Sequence, residues 1–222
     1  IEVLRACDAL ARLFPEIDAL FGVPQTAVHH PEIDTGIHTL MSLQQAVKLG
    51  ANSCIRFATL LHDLGKATTP HEEWPRHIAH EARSLPLIKQ LCARIAAPKD
   101  YKELALLTAQ WHTHCHRALE LKPTTLLKVL QATDAFRRPE RFEQFLVCCE
   151  ADARGRTGFE SRDYPQADFF RQCLLAAKQI DIAAVQTLGL TGQAFGEALD
   201  RQRVQQITAL KNTRDNAPSS SH

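Results

Sequence analysis

A histidine–aspartate pair, a separate histidine and a separate aspartate are the residues with which this sequence could do chemistry. In "LLHDLGKATTP", Leu60–Pro70, His62 and Asp63 stand side by side in an apolar run that Gly65 ends. A carboxylate there needs a partner, because burying it unpaired costs several kcal/mol. Adjacent helical positions point about 100° apart, so the two side chains can reach one ion only at a helix end, with Gly65 expected as the C′ cap. His38 sits one position from the stripe Ile37–Met41, at its edge, and Asp134 follows Leu127 by seven positions and Leu130 by four. That spacing puts a second carboxylate on an apolar helical stripe. Imidazole and carboxylate together suit a divalent cation. Singly, each is more often an ordinary core residue, the histidines hydrogen-bonded and the aspartates paired with Arg56 or Arg137. Jointly, one ion satisfies all four, so the expected metal ligands are His38, His62, Asp63 and Asp134.

The other histidines divide by setting. There are 11 in all, and "WHTHCHR" holds His112, His114 and His116. His29, His30, His71, His114 and His116 read as surface residues in polar, loop-like stretches. Lys66, one turn beyond His62, reads equally as a cation serving the site and as a solvated lysine favoured by a helix C-terminus. Trp74 and Trp111 read as core anchors.

Helices must position these groups. Apolar residues recur at helical spacing, as in Val3, Leu4, Leu10 and Leu13 or Leu126, Leu127, Val129 and Leu130, and no alternating strand or hairpin turn interrupts them. Breaks at Pro15, Pro24, Pro98, Pro123, Pro139 and across "RGRTGFESRDYPQ" cut the 222 residues into roughly eight to ten helices. The fold class is all-α, a compact multi-helix bundle. Residues 1–30 read as a helical lead-in, 31–211 as the domain proper and 212–222 as a disordered tail. Net charge is +1, which gives no global case for nucleic acid or membrane. Seven scattered cysteines without a C-x-x-C pair read as free thiols in a reducing compartment, with cytoplasm the default. The only methionine is Met41 and the chain opens at Ile1 inside an amphipathic pattern, as expected of a piece cut from a longer protein.

The order His38, His62-Asp63, Asp134 around "HDLGK" resembles the HD superfamily of metal-dependent phosphohydrolases. "LFPEIDALFGVP", "HPEIDTGIHTLM", "RFATLLHDLGKATTP", "WPRHIAH", "DAFRRPER" and "EADARGRTGFESRDYPQ" are more specifically similar to the C-terminal HD domain of the bacterial CCA-adding enzymes, the tRNA nucleotidyltransferases of multifunctional type. The resemblance implies hydrolysis of 2′,3′-cyclic phosphodiesters and of 2′-phosphomonoesters (phosphodiesterase, 2′-nucleotidase and phosphatase), with nickel or magnesium as activator. Catalytic roles would fall to Asp63, Lys66, His80 and His112. In "HIAHEARS" His80 is preferred to His77, and Glu81 reads as a solvated helix residue. Thr113 stands where relatives tend to carry an acid, which puts a full second metal site in doubt. The implied partners are tRNA or small 2′-phosphate and cyclic nucleotides, with a nucleotidyltransferase head elsewhere in the full-length protein, no membrane, and a homodimer as one option. Nothing in the chain resembles that head. Arg137, Arg138, Arg141, Arg154 and Arg156 could track a tRNA backbone, or pair with Glu140, Glu143, Glu150 and Asp152 nearby. The competing reading is a non-catalytic tRNA-contact or dimerisation module with a structural metal; a triphosphohydrolase is weaker, for want of a suitable basic cluster.

Overall fold

A computed structural model of the chain describes residues 1–28, 31–187 and 189–216. Among these residues the regular structure is helical, and one isolated antiparallel bridge joins Pro24 to Asp34. The helices are α1 (Glu2–Ala6), α2 (Ala9–Leu13), α3 (Pro15–Asp18), α4 (Thr35–Lys48), α5 (Ser53–Leu61), α6 (His80–Arg94), α7 (Lys99–His116), α8 (Pro123–Ala132), α9 (Pro139–Arg154), α10 (Pro165–Lys178), α11 (Ile182–Gln186) and α12 (Gly192–Asp215). Short 3-10 turns add Leu64–Thr68, His71–Glu73 and Ala118–Glu120. Prolines begin α3, α8, α9 and α10, where a missing N–H costs nothing and the fixed φ already fits a helix. The sequence reading undercounts the helices because it cannot separate the short ones, α1 to α3 and α11, from their loops. α12 also runs past residue 211 to Asp215, so the chain is still helical where a tail was expected to begin.

Two compact units form. The first comprises 1–116 and 143–164, and the second 117–142 and 165–222. In the first, α5 packs against α4 and α7, and α6 packs against α7 and the 3-10 turn Leu64–Thr68. Its core includes Leu61, Leu64, Ile88, Leu91 and Leu104, all fully buried, each worth roughly 1.5–3 kcal/mol relative to exposure. Side-chain caps fix the starts of the two central helices: Asp34 accepts from the Ile37 amide at 2.9 Å and Asn52 from the Ile55 amide at 3.0 Å. A two-pronged Arg94–Glu16 pair, at 2.6 and 2.8 Å, ties the end of α6 to α3. In the second unit α12 packs against α8, α10 and α11 over Leu126, Leu130, Phe142 and Phe170.

α4 departs from the sequence reading. Ile37 and Val47 are about half exposed, while His38, Thr39, Ser42, Gln45 and Ala46 are buried. His38 is therefore central to the buried face and not at the edge of an apolar one. A mostly polar buried face is stable only with polar partners. Six of the seven cysteines are buried free thiols, and burial pushes Cys148 up to about 12, which makes it unreactive.

Candidate metal centre

Five chain segments of the first unit converge on one point. α4 brings His38, the end of α5 brings His62 and Asp63, the first residue of α6 is His80, the last two turns of α7 bring His112 and His116, and α9 brings Asp152. The α5 helix ends at Leu61, and His62 and Asp63 form the joint to the following 3-10 turn. That joint lets two consecutive side chains face one centre. Gly65 is not a left-handed cap. It lies where a Cβ would come within 2.1 Å of the His80 carbonyl oxygen, and its amide donates to Ser84 Oγ at 2.8 Å. Its role is to let α6 approach closely.

Four imidazoles are oriented in the same way. Their Nδ1 atoms lie on backbone carbonyls: His38 on Gly155 at 3.0 Å, His62 on Thr59 at 2.7 Å, His80 on His77 at 3.0 Å and His112 on Thr108 at 3.0 Å. A carbonyl only accepts, so each Nδ1 carries a proton and each Nε2 is the ring atom turned to the centre. These Nε2 atoms surround two buried carboxylates. Asp63 lies 3.1 Å from His62, 3.2 Å from His80, 3.4 Å from His112 and 4.0 Å from His38. Asp152 lies 3.0 Å from His38 and 3.6 Å from His62. His116 Nε2 holds the second Asp152 oxygen at 2.6 Å, backed by Tyr164 Oη at 2.8 Å from Nδ1.

This cluster needs positive charge. Burial pulls the His62 imidazole pKa down, but the carboxylates of Asp63 and Asp152 outweigh it and lift it to about 10. Burial raises both acids, yet their neighbours hold them well below the usual carboxylate range: His62 and Lys66 act on Asp63, His116 and His62 on Asp152. His62 Nε2 and Asp63 Oδ1 are buried without a hydrogen-bond partner. Three overlapping groups bring ligand atoms within 4.8 Å of one another: His38, His62 and Asp63; His62, His112 and Asp152; Asp63, His80 and His112. Orphaned buried atoms, inward-facing Nε2 atoms and paired acids suit a divalent cation, which would take the place of any proton on Nε2. The residues fit a metal.

Most of the residues singled out in the sequence meet here: His38, His62, Asp63, His80 and His112, with Lys66 Nζ at 2.7 Å from Asp63 Oδ2. Asp134 is the exception. α8 stops at Ala132 and Asp134 adopts φ +57°, so the stripe it was assigned to has already ended. Its carboxylate pairs with Arg137 at 2.7 Å and Arg141 at 3.6 Å, and it joins none of the three groups. Asp152 stands in the cluster where Asp134 was expected. The sequence carried the same signal for it: Asp152 follows Phe145 by seven positions and Cys148 by four, all buried on α9. His116 was likewise misjudged as a surface residue. α7 continues to its last residue, so His116 shares a face with His112 one turn earlier.

The remaining histidines are peripheral. His77 lies outside α6, buried, with Nε2 donating to the Pro24 carbonyl at 2.7 Å and Nδ1 facing Thr69 Oγ1 at 2.9 Å. Burial lowers its pKa, keeping it the neutral post of the loop carrying Gln25. His71 is exposed and stacks on Trp74, and His114 meets Trp111 edge-on. His29 and His30 lie outside the described residues. Glu81 is not simply solvated, since it accepts from Thr113 Oγ1 at 2.7 Å. Arg154 pairs with Glu150 at 2.9 Å and Arg156 approaches Asp152 at 3.7 Å, as the charge-mixed reading expects.

Glu32 adds an orienting carboxylate. Its side chain is 2% exposed and its Oε1 lies 3.0 Å from His38 Nδ1, beside the Gly155 carbonyl. A carboxylate behind a ligating histidine fixes the ring and raises its basicity, so Glu32→Gln should weaken metal affinity about tenfold by calorimetry.

A helical unit that turns histidines and aspartates from five segments onto one centre is an arrangement that can hold a divalent ion. Residues 35–138 match the family model described as HD domain, so the chain carries an HD domain over that stretch. Along almost its whole length it is similar to proteins named multifunctional CCA protein. Identity is 54% to that of Hahella chejuensis over 98% of this chain and 51% of the relative. It is 58% to that of Thioalkalivibrio sulfidiphilus over 95% and 51%, and 57% to that of a Pseudomonas fluorescens strain over 95% and 52%. The chain thus spans about half the length of the curated relatives it matches. No solved structure matches it.

Proposed function

We propose that this chain is the phosphohydrolase part of a multifunctional CCA protein, hydrolysing 2′,3′-cyclic phosphodiesters and 2′-phosphomonoesters with a divalent metal. The observation that carries this reading is the set of four carbonyl-anchored histidines whose Nε2 atoms ring Asp63 and Asp152. His38, His62, Asp63 and Asp152 would hold the ion, with His80 and His112 close enough to share it or a second one. A set this rich in imidazole favours nickel or another first-row transition ion over magnesium, which prefers oxygen ligands. When bound, the ion supplies charge stabilisation to the phosphoryl oxygens and lowers the pKa of a coordinated water.

The protein's own groups shape the rest. A cavity of ≈ 170 Å³ opens beside the cluster, lined by Gln25, Lys66, Arg76, Thr113, His116 and Arg156 among others. It is smaller than the ~300–1,000 Å³ pockets that swallow a drug-sized ligand. It suits a phosphoryl end, with the bulk of a nucleotide or an RNA terminus left outside. Lys66 and Arg156 supply positive charge on the cavity wall, and His80 or His112 can protonate a leaving oxygen. The open cavity favours this reading over a structural metal in a tRNA-contact module, since structural sites are closed. No described helix is long and apolar enough to cross a membrane, and the buried thiols agree with action on tRNA ends or small nucleotides in the cytoplasm.

The test is hydrolysis of a 2′,3′-cyclic mononucleotide with added nickel. The chain should turn it over, and Asp63→Ala should lose at least about a hundredfold in rate. No turnover with nickel, manganese or magnesium, or full activity in Asp63→Ala, refutes the reading.

A further inference from the structure

Gln25 lies on the loop before α4 and is 3% exposed. The loop is pinned on both sides: the Gln25 amide donates to the Ile33 carbonyl at 2.5 Å, and the Pro24 carbonyl accepts from His77 Nε2 at 2.7 Å. The side chain lines the cavity beside the metal centre. Its Oε1 accepts a hydrogen bond from Lys66 Nζ. A lysine ammonium only donates, so this contact fixes which end of the carboxamide is oxygen. The other end, Nε2, carries two N–H groups and is buried without a partner. Among the residues lining the same cavity, Arg156 also has a buried donor, Nε, without one. Buried donors are rarely left unpaired, and two such donors lining a single small cavity call for an acceptor brought in from outside.

We infer that Gln25 is a substrate-contacting residue whose Nε2 donates to an oxygen of the bound phosphoryl group, its orientation locked by Lys66. The inference rests on the phosphohydrolase reading for its ligand. Lys66 then has two tasks, charge towards the phosphate and orientation of the amide. Gln25 contributes a donor without adding charge, so it neither competes with the ion for the carboxylates nor repels it. Arg156 Nε supplies a second donor for the same group.

The test compares Gln25→Met, which removes donor and acceptor, with Gln25→Glu, which keeps an oxygen for Lys66 and replaces the donor by an acceptor. Inorganic phosphate is titrated by calorimetry into the nickel-loaded and the metal-free chain, beside KM and kcat for a 2′,3′-cyclic mononucleotide and a melting curve for each variant. Both variants should bind phosphate about tenfold or more weakly, with a matching rise in KM, because a hydrogen bond to a charged group is lost. Nickel affinity should stay within about twofold, since Gln25 holds none of the ligands. Phosphate affinity unchanged in both variants overturns the inference. So does a loss confined to Gln25→Met, which would leave Gln25 only the task of holding Lys66. If the unaltered chain hydrolyses nothing while phosphate binding still falls in both variants, the contact stands and the phosphohydrolase reading fails. If the chain is active and the variants match it, the reading stands and the contact fails.

Discussion

Replacing Asp152 by alanine should abolish tight nickel binding and lower cyclic-phosphate hydrolysis at least about a hundredfold, whereas Asp134→Ala should leave both within about twofold. The contrast follows from geometry. Asp152 is 4% exposed at its side chain and contacts His38, His62 and His116. Removing it leaves three imidazoles without their common acid and takes one of two carboxylate charges from the ion. Asp134 is met by Arg137 and Arg141, which hold its carboxyl below the usual range through a hydrogen bond and nearby charge. Its loss should cost the roughly 0–1 kcal/mol of an accessible ion pair plus part of the left-handed backbone penalty of about 1–2 kcal/mol, since Asp134 sits at φ +57°. Asp152→Asn, which keeps volume but not charge, should behave like Asp152→Ala in metal binding while melting closer to the unaltered chain. Calorimetric nickel titration and steady-state rates read both effects. Equal losses at the two aspartates would contradict the assignment.

Gly65→Ala should be among the most damaging single methyls in the first unit. The added Cβ would stand 2.1 Å from the His80 carbonyl oxygen and 2.6 Å from the Ser84 amide, backbone atoms that cannot turn aside. α6 must move, and with it His80, now 3.2 Å from Asp63. Overpacking of this kind costs about 3 kcal/mol, or a fall of about 6–12 °C in melting temperature for a chain this size. Activity should fall further than stability, because ligand position tolerates little displacement. Gly22→Ala is the control. Gly22 adopts φ +83° in open space, so the change costs only the left-handed backbone penalty of about 1–2 kcal/mol and should leave the rate unchanged.

The all-α class was legible because helical periodicity is written almost everywhere in the chain, and because prolines mark where α3, α8, α9 and α10 begin. The site was legible as far as local pattern could carry it. His62 and Asp63 stood out because titratable side chains interrupted an apolar run. Asp134 misled because its stripe was extended two residues beyond the end of α8, and a backbone turning left-handed cannot be seen in side-chain spacing. Asp152 obeyed the same seven-and-four rule on a helix that does continue, but nearby arginines offered it a simpler partner. α4 was misread for another reason: its buried face is polar, and its His38 is satisfied by Asp152 and Gly155 from a distant part of the chain and by Glu32 just ahead of the helix. Hydrophobic periodicity finds faces that bury oil, and a face that buries ligands escapes it.

The most direct test is a crystal of the nickel-loaded chain measured at the nickel absorption edge. The account predicts an anomalous peak among His38, His62, Asp63 and Asp152, with His80 and His112 on its open side. A peak at Asp134, or a nickel-saturated crystal with no peak among these histidines, would contradict it.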